Sequence, residues 1–249
     1  MFPLFPLLLI LPTSAFVRTE NRSISDSSGV LFSPNYPDNY DDNLDQFTTI
    51  TVPVGNSVIL TFLDFFTEQD YDHVDIYDGG DTTKNPDFVF SGDAAGSALN
   101  LTSNIVVIRF STDMIGVARG FAIEWDPNPK DKPFQVKNSC EPAPKNSTFG
   151  LITSPNFPYN YPNNIQCNYL ITTTKSRIFL QFVAFVTEDG FDTVTIYDGP
   201  NITYFSLGTY SGTPGFFSVN STGSSLFIVF SSDLQNSYSG FSALFESID

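Results

Sequence analysis

Asp72-His73-Val74-Asp75-Ile76-Tyr77-Asp78-Gly79 is written a second time, 120 positions on, as Asp192-Thr193-Val194-Thr195-Ile196-Tyr197-Asp198-Gly199. Working outward, Ser33-Pro34-Asn35-Tyr36-Pro37 returns as Ser154-Pro155-Asn156-Phe157-Pro158, and Thr67-Glu68 as Thr187-Glu188. Ser111-Thr112-Asp113 returns as Ser231-Ser232-Asp233, and Gly120-Phe121 as Gly240-Phe241. The offset is 121 at the earliest block and 120 at the others, which predicts a one-residue difference near position 43 and otherwise keeps 31–126 and 151–246 in step. A period of that size is a duplicated domain, not a solenoid repeat.

Inside each copy the apolar period is two. Val58, Leu60 and Phe62 alternate, then Val74 and Ile76, then Val106, Ile108 and Phe110, then Phe121, Ile123 and Trp125. The second copy supplies Ile178, Leu180 and Phe182, Val194 and Ile196, Phe227 and Val229 beside Ile228 and Phe230, and Phe241, Ala243 and Phe245. Short alternating strands bounded by Gly, Pro, Asn and Asp predict an all-β protein: two antiparallel jelly-roll β-sandwich domains in tandem. The expected units are 24–126 and 140–249. Between them 127–139 reads as a linker, stiffened by the prolines of Asp126-Pro127-Asn128-Pro129-Lys130-Asp131-Lys132-Pro133. Its Lys130, Lys132 and Lys137 either dock on a neighbouring acidic surface and set the interdomain angle, or keep a spacer soluble.

Met1 to Leu11 is apolar and uncharged and leads into Pro12-Thr13-Ser14-Ala15, the form of a secretory signal peptide over 1–15. No later run reaches the roughly 20 apolar residues needed to cross a bilayer, so a secreted, extracellular product with no membrane insertion is expected. Asn21, Asn100, Asn146, Asn201 and Asn220 each open an N-x-S/T sequon, and Asn100 and Asn220 are again 120 apart. The two cysteines, Cys140 and Cys167, both lie in the second copy; in an exported chain they read as one disulfide, two buried thiols being the alternative. The first copy places Phe47 opposite Cys167 and is expected to hold that corner by packing alone.

The net charge is −16, with 17 acidic against three basic residues in 24–126 and eight against three in 140–249. Such a field repels phosphate and excludes nucleic acid and anionic membrane as partners. Three acids recur: Glu68, Asp72 and Asp113, echoed as Glu188, Asp192 and Asp233. Carboxylates gathered by strand pairing repel unless a cation or protons compensate them. A hard divalent ion with oxygen ligands suits such a set. Zinc does not, with one histidine in the chain and no free thiol pair near these acids. The plainer alternative is a set of solvated loop or turn carboxylates.

No H-E-x-x-H, G-x-S-x-G or Cys/His pairing occurs, and the single histidine, His73, is echoed by Thr193. Paired carboxylates alone are the remaining route to catalysis, as in glycosidases. Nothing else in the chain supports that chemistry, and no enzyme is expected. Of the 26 Phe and 11 Tyr most fall on the alternating faces. Tyr159, Tyr161, Tyr204, Phe205 and Tyr210 are the candidates for an exposed platform that binds carbohydrate or protein.

The order S-P-N-[YF]-P, an aromatic-rich strand ending in T-E, an aromatic-Asp pair leading into V-x-I-Y-D-G, a strand ending in F-S-x-D, and a closing G-F resembles the CUB domain, twice. The resemblance implies an extracellular jelly-roll interaction module. It implies one Ca2+ per domain, on Glu68, Asp72 and Asp113 and on Glu188, Asp192 and Asp233, with Tyr40 and Tyr161 orienting a carboxylate. It also implies that residual carboxylate valence captures a Lys or Arg of a partner protein. Many CUB domains carry two disulfides; Cys140–Cys167 resembles the first, and neither copy has the other. Two other roles stay open: a lectin-like carbohydrate binder and a regulatory subunit of an extracellular protease.

Overall fold

The structure, a computed structural model, describes residues 18–129, 138–143 and 147–249. The expected signal peptide over 1–15, the lysines of the expected linker, Lys130, Lys132 and Lys137, and the sequon asparagine Asn146 lie outside the described residues. The first domain is built of β1 (Arg18–Ile24), β2 (Gly29–Phe32), β3 (Leu44–Thr51), β4 (Asn56–Phe66), β5 (His73–Asp78), β6 (Phe88–Phe90), β7 (Ala98–Asn100), β8 (Ile105–Ser111) and β9 (Gly120–Pro129). The second follows as β10 (Phe149–Thr153), β11 (Gln166–Thr172), β12 (Arg177–Val186), β13 (Thr193–Tyr197), β14 (Ser206–Tyr210), β15 (Phe217–Asn220), β16 (Ser225–Ser231) and β17 (Gly240–Ile248).

Each domain is a sandwich of two sheets. Strand order is β1-β3-β8-β5-β6 facing β2-β9-β4-β7 in the first, and β11-β16-β13-β14 facing β10-β17-β12-β15 in the second. The repeat therefore extends to topology, down to a register shift at Phe62/Asp64 in β4 that recurs at Phe182/Ala184 in β12. The alternating residues meet in the middle. Val58, Leu60 and Phe62 pack on Val74, Ile76, Ile108 and Phe110, and Ile178, Leu180 and Phe182 on Val194, Ile196, Ile228 and Phe230. On β16 the inward set is Leu226, Ile228 and Phe230, leaving Phe227 and Val229 on the outer face. Each such side chain contributes about 1.5–3 kcal/mol by leaving water.

Register also relocates the one-residue difference between the copies. Ile50 opposite Val106 and Ile171 opposite Leu226 are still 121 apart, as are the hydrogen-bonded pairs Val52 N–H to Asn104 and Thr173 N–H to Ser224. By Val58 and Ile178 the offset is 120. The extra residue thus sits in the turn after Val52, not near position 43, because a turn absorbs an insertion that a paired strand would pass on as a register slip. It follows that Gln46, opposite Phe110, and not Phe47, corresponds to Cys167, opposite Phe230.

Cys167 is joined to Cys140 by the disulfide. At the equivalent corner of the first domain, β1 runs parallel to β3 with Glu20 paired to Gln46, and the Gln46 side-chain amide donates to Glu20 at 3.4 Å. That corner is therefore held by a strand ladder and a polar pair, correcting the expectation of packing alone. Closing a loop of this length with a disulfide is worth about 3 kcal/mol in the chain-entropy model. Reduction should accordingly lower the melting temperature of the second domain and leave the first unmoved, as two-wavelength thermal melts with and without reductant would show.

The strand bounds differ from the expected units at two places. β1 starts at Arg18, ahead of residue 24, and β9 continues through Pro127 to Pro129, into the segment read as linker. Proline is tolerated there because β2 begins only opposite Trp125, so beyond Trp125 β9 is paired only with β4.

The two sandwiches meet face to face. Val30, Tyr36, Leu63 and Ala122 of the first form one apolar cluster with Phe149, Leu151, Phe157, Val183 and Leu244 of the second. Phe149 lies edge-on to Phe32 and Tyr36, at centroid distances of 5.6 and 6.3 Å. Val30 and Leu151, Tyr36 and Phe157, and Leu63 and Val183 are repeat counterparts, so each domain contributes the same outer face. Beside this cluster lies a network without a counterpart. Asp64, fully buried at the β4 register shift, accepts from the Tyr36 hydroxyl at 3.0 Å and from Arg119 Nη2 at 2.7 Å and Nε at 2.9 Å. Arg119 stacks over Phe66 at 4.9 Å. The second domain has Phe157, Ala184 and Ser239 at these places.

Candidate metal centre

Thr67 and Glu68 follow directly on β4. The Thr67 hydroxyl donates to the Asp72 carbonyl at 3.1 Å and accepts from the Gly92 N–H at 3.0 Å, pinning both ends of the loop. The Asp72 N–H donates to the Glu68 carbonyl at 3.1 Å, closing a single turn in which Asp70 takes a positive φ of 69°. The turn brings Glu68 and Asp72 to one side despite the three-residue spacing. The second copy repeats it: Thr187 hydroxyl to Asp192 carbonyl at 2.8 Å, Asp192 N–H to Glu188 carbonyl at 3.1 Å, with Gly190 at φ 77°.

Tyr40 and Tyr161, each 1% exposed, stand behind these loops. The Tyr40 hydroxyl donates to Asp72 Oδ2 at 2.5 Å and accepts from the Glu68 N–H at 2.9 Å. Tyr161 does the same to Asp192 Oδ2 at 2.6 Å and from the Glu188 N–H at 3.1 Å. Such double engagement fixes the tyrosine, and burial with the carboxylate beside it pushes both phenols well above their usual range. The remaining oxygen, Oδ1 of Asp72 or Asp192, accepts the N–H of Asp113 at 2.9 Å or of Asp233 at 2.7 Å. Asp113 and Asp233 lie two residues beyond the ends of β8 and β16. Each turns one oxygen back on its own chain, to the N–H of Ile115 at 2.9 Å and of Gln235 at 2.8 Å. The closing Gly-Phe of each copy belongs to the same construction. A Cβ on Gly120 would fall 1.9 Å from Ser33 Oγ and 3.3 Å from the Tyr40 ring, and Gly240 repeats this with Ser154 and Tyr161.

The outcome is two acidic triads, Glu68, Asp72 and Asp113, and Glu188, Asp192 and Asp233, each offering oxygens within 4.8 Å of one another. Opposed ligands of a cation with bonds of about 2.3–2.6 Å stand about 5 Å apart, so the spacing fits Ca2+. A second observation points the same way. Oε2 of Glu68 and of Glu188, and Oδ1 of Asp42, are shielded from water without a hydrogen-bond partner. An unpaired buried carboxylate oxygen is costly unless a cation completes it. Desolvation, and then the charges of Asp113, Asp72 and Asp42, hold the Glu68 carboxyl above its ordinary range, and desolvation does the same to Asp72.

The centres differ in ways that spacing alone did not reveal. Asp42 brings a further negative charge near Glu68 in the first, outside the set whose oxygens lie within 4.8 Å; its counterpart is Asn163, whose side-chain amide donates to the Leu234 carbonyl at 3.3 Å. Gly116, at φ 93°, lets the Glu68 carboxylate lie where a Cβ would be, at 2.1 Å. Its counterpart Asn236 donates to Glu188 Oε1 at 2.6 Å. Comparing the copies position by position is the signal that finds both differences. Both centres carry an apolar rim. Tyr71 and Phe191, ahead of the aspartates, are 62% and 64% exposed, and Met114 and Leu234, after Asp113 and Asp233, 67% and 74%.

Of the five aromatics considered as a platform, Tyr159 is exposed at 37%. Tyr161 is buried in the second centre, Tyr210 stacks on Phe217 at 4.1 Å, and Tyr204 and Phe205 are exposed beside β14. His73 opens β5, its Nδ1 enclosed without a partner.

A family model described as the CUB domain matches residues 20–125 and 140–245. Cubilin of Canis lupus familiaris is 29% identical over 201 residues, covering 77% of this chain and 5% of its own length. Neuropilin-1a of Danio rerio is 30% identical over 266 residues, covering 96% of this chain and 28% of its own. Tolloid-like protein 1 of Homo sapiens is 28% identical over 237 residues, covering 91% and 22%. The chain thus spans less than a third of the length of these curated relatives. Among solved structures, the CUB1-EGF-CUB2 domains of rat MASP-1 align at 19% identity with a TM-score of 0.38, over 91% of this chain and 100% of that one. The MASP-1 CUB2 domain bound to Ca2+ aligns at 24% with a TM-score of 0.37, over 42% of this chain and 96% of that one. The two matched stretches fall on the two sandwiches, and this chain belongs to the CUB-domain family.

Proposed function

We propose that the chain is a secreted, non-enzymatic interaction protein in which each acidic centre binds one Ca2+ and, so organised, captures a Lys or Arg side chain of an extracellular partner protein. CUB domains mediate protein–protein interaction in extracellular proteins, and no helix among the described residues is long and apolar enough to cross a membrane. The observation that carries the reading is the duplicated cradle with a buried glutamate oxygen left without a partner in both copies. Bound calcium supplies positive charge that ends the mutual repulsion of the triad. The chain's own part is orientation. Tyr40 and Tyr161 aim one carboxylate, the turns at 68–72 and 188–192 aim the glutamate, and outward oxygens are left for charge-assisted bonds to an incoming cation. The apolar rims suit a basic residue flanked by apolar neighbours, whose side chains would cover Tyr71 and Met114 or Phe191 and Leu234. Two centres on one chain permit bivalent capture.

Asp113→Ala and Asp233→Ala should each remove one of two calcium equivalents in calorimetric titration while the far-UV circular dichroism stays native. Each should also lower, by tenfold or more, calcium-dependent binding of an immobilised Lys-containing peptide with apolar flanks. A stoichiometry unchanged in both variants would overturn the metal assignment. Lost stoichiometry with unchanged peptide capture would overturn the basic-partner assignment alone.

A further inference from the structure

Four sheets have eight edges, and the four sequons among the described residues fall on or beside them. Asn21 lies on β1, Asn100 on β7 and Asn220 on β15, each an edge strand, and Asn201 lies in the turn leading into the edge strand β14. That is one sequon for one edge of every sheet. All four asparagines are exposed. We infer that these asparagines carry N-linked glycans whose role is to cover the open sheet edges and so prevent strand-to-strand self-association. The inference rests on export of the chain and is independent of the metal reading.

A bare edge offers unpaired N–H and C=O groups to any other strand, and proteins usually blunt it with charge, proline or brevity. β14 (Ser-Leu-Gly-Thr-Tyr) and β15 (Phe-Ser-Val-Asn) contain neither a charged residue nor a proline and are longer than three residues, and β7 (Ala-Leu-Asn), although as short as β6, is likewise uncharged and free of proline. The two longer ones are bordered by exposed aromatics: Phe205, 77% exposed, precedes β14, and Phe216, 57% exposed, precedes β15. An uncharged β-prone segment with exposed Phe is the composition that pairs edge to edge. A glycan is bulky and strongly solvated, which supplies the missing protection. The remaining edges are managed otherwise. β2 and β10 feed Val30, Phe149 and Leu151 into the interdomain cluster, β11 carries the disulfide to Cys140, and β6 is three residues long.

The test uses the full chain secreted from glycosylating eukaryotic cells. Glycopeptide mass spectrometry should find Asn21, Asn100, Asn201 and Asn220 occupied; empty sequons would overturn the inference. Trimming the folded protein with an endoglycosidase that leaves one sugar avoids any effect on folding. The trimmed protein should lose its monomer peak in light-scattering chromatography and gain thioflavin fluorescence, with unchanged calcium stoichiometry. Continued monomer would overturn the edge role. General solubility is separated from edge cover by adding Thr174→Asn, which makes 174–176 a sequon at the tip of the β11–β12 turn, to a chain with all four asparagines changed to Gln. That relocated glycan should fail to restore the monomer, and full rescue by it would overturn the inference.

Discussion

Calcium should raise the melting temperature of both domains, on the order of 10 °C each at a free concentration a hundredfold above the dissociation constant. One site at that ratio contributes about 2.7 kcal/mol to the folded state. For a domain of roughly 100 residues each kcal/mol moves the midpoint by about 4–8 °C. The first domain should respond more strongly, because Asp42 places a negative charge near its centre where the second has the neutral Asn163, and because Asn236 already occupies one oxygen of Glu188. Asp42→Asn should therefore narrow the difference between the two midpoints. Acidification acts oppositely on the two forms. Desolvation holds Glu68 and Asp72 above their unfolded values, so the calcium-free native state takes up protons before the unfolded chain does and gains stability as pH falls through that raised range. The loaded protein loses its ion over the same range, and the calcium increment shrinks. Identical melts in calcium and chelator, with a flat calorimetric titration, would end the calcium reading for both copies.

How much of this was legible in the sequence depends on whether the signal was written twice. The sandwich class, the triads and Tyr40 with Tyr161 all rest on residues that recur, and period-two alternation placed Leu60, Phe62, Ile108 and Ile123 in the core. The stretch between Tyr40 and Val58 has few identities with its echo, so identity alone puts the offset change at its start, near position 43. Only strand pairing moves it to the turn after Val52 and with it pairs Gln46 with Cys167. The interdomain face was hidden for another reason. Alternation separates in from out, and it does not say that an outer face is covered by a second domain. A trace of the covered face survives in Ala243-Leu244-Phe245, three consecutive apolar residues where one face should be polar, and Leu244 is 1% exposed. The Tyr36–Asp64–Arg119 network was equally readable in principle. All three positions change together between the copies, to Phe157, Ala184 and Ser239, which is what a closed polar network does when it is replaced as a unit.

That unit yields the largest effect expected of any single substitution. Asp64→Ala should destabilise the first domain by about 3 kcal/mol, the lower end of the range for breaking a buried ion pair, since Arg119 keeps some access to water. The loss has two parts: a guanidinium held over Phe66 without its carboxylate, and a Tyr36 hydroxyl left without an acceptor beside the Phe149 ring. Neither part survives if the partners are removed as well. Tyr36→Phe, Asp64→Ala and Arg119→Ser combined reproduce the set that the second domain already uses at the same register shift. The triple variant should recover most of the stability lost by the single one, because replacing every member of a buried polar network by apolar or small groups is close to neutral whereas removing one is not. Chemical denaturation followed by Trp125 fluorescence reports on the first domain alone, as the chain has one tryptophan. A triple variant no more stable than Asp64→Ala would show that the network is needed for packing at the interdomain face and not only for its internal charge balance. A single variant as stable as the parent would mean that Arg119 finds water or another acid at little cost.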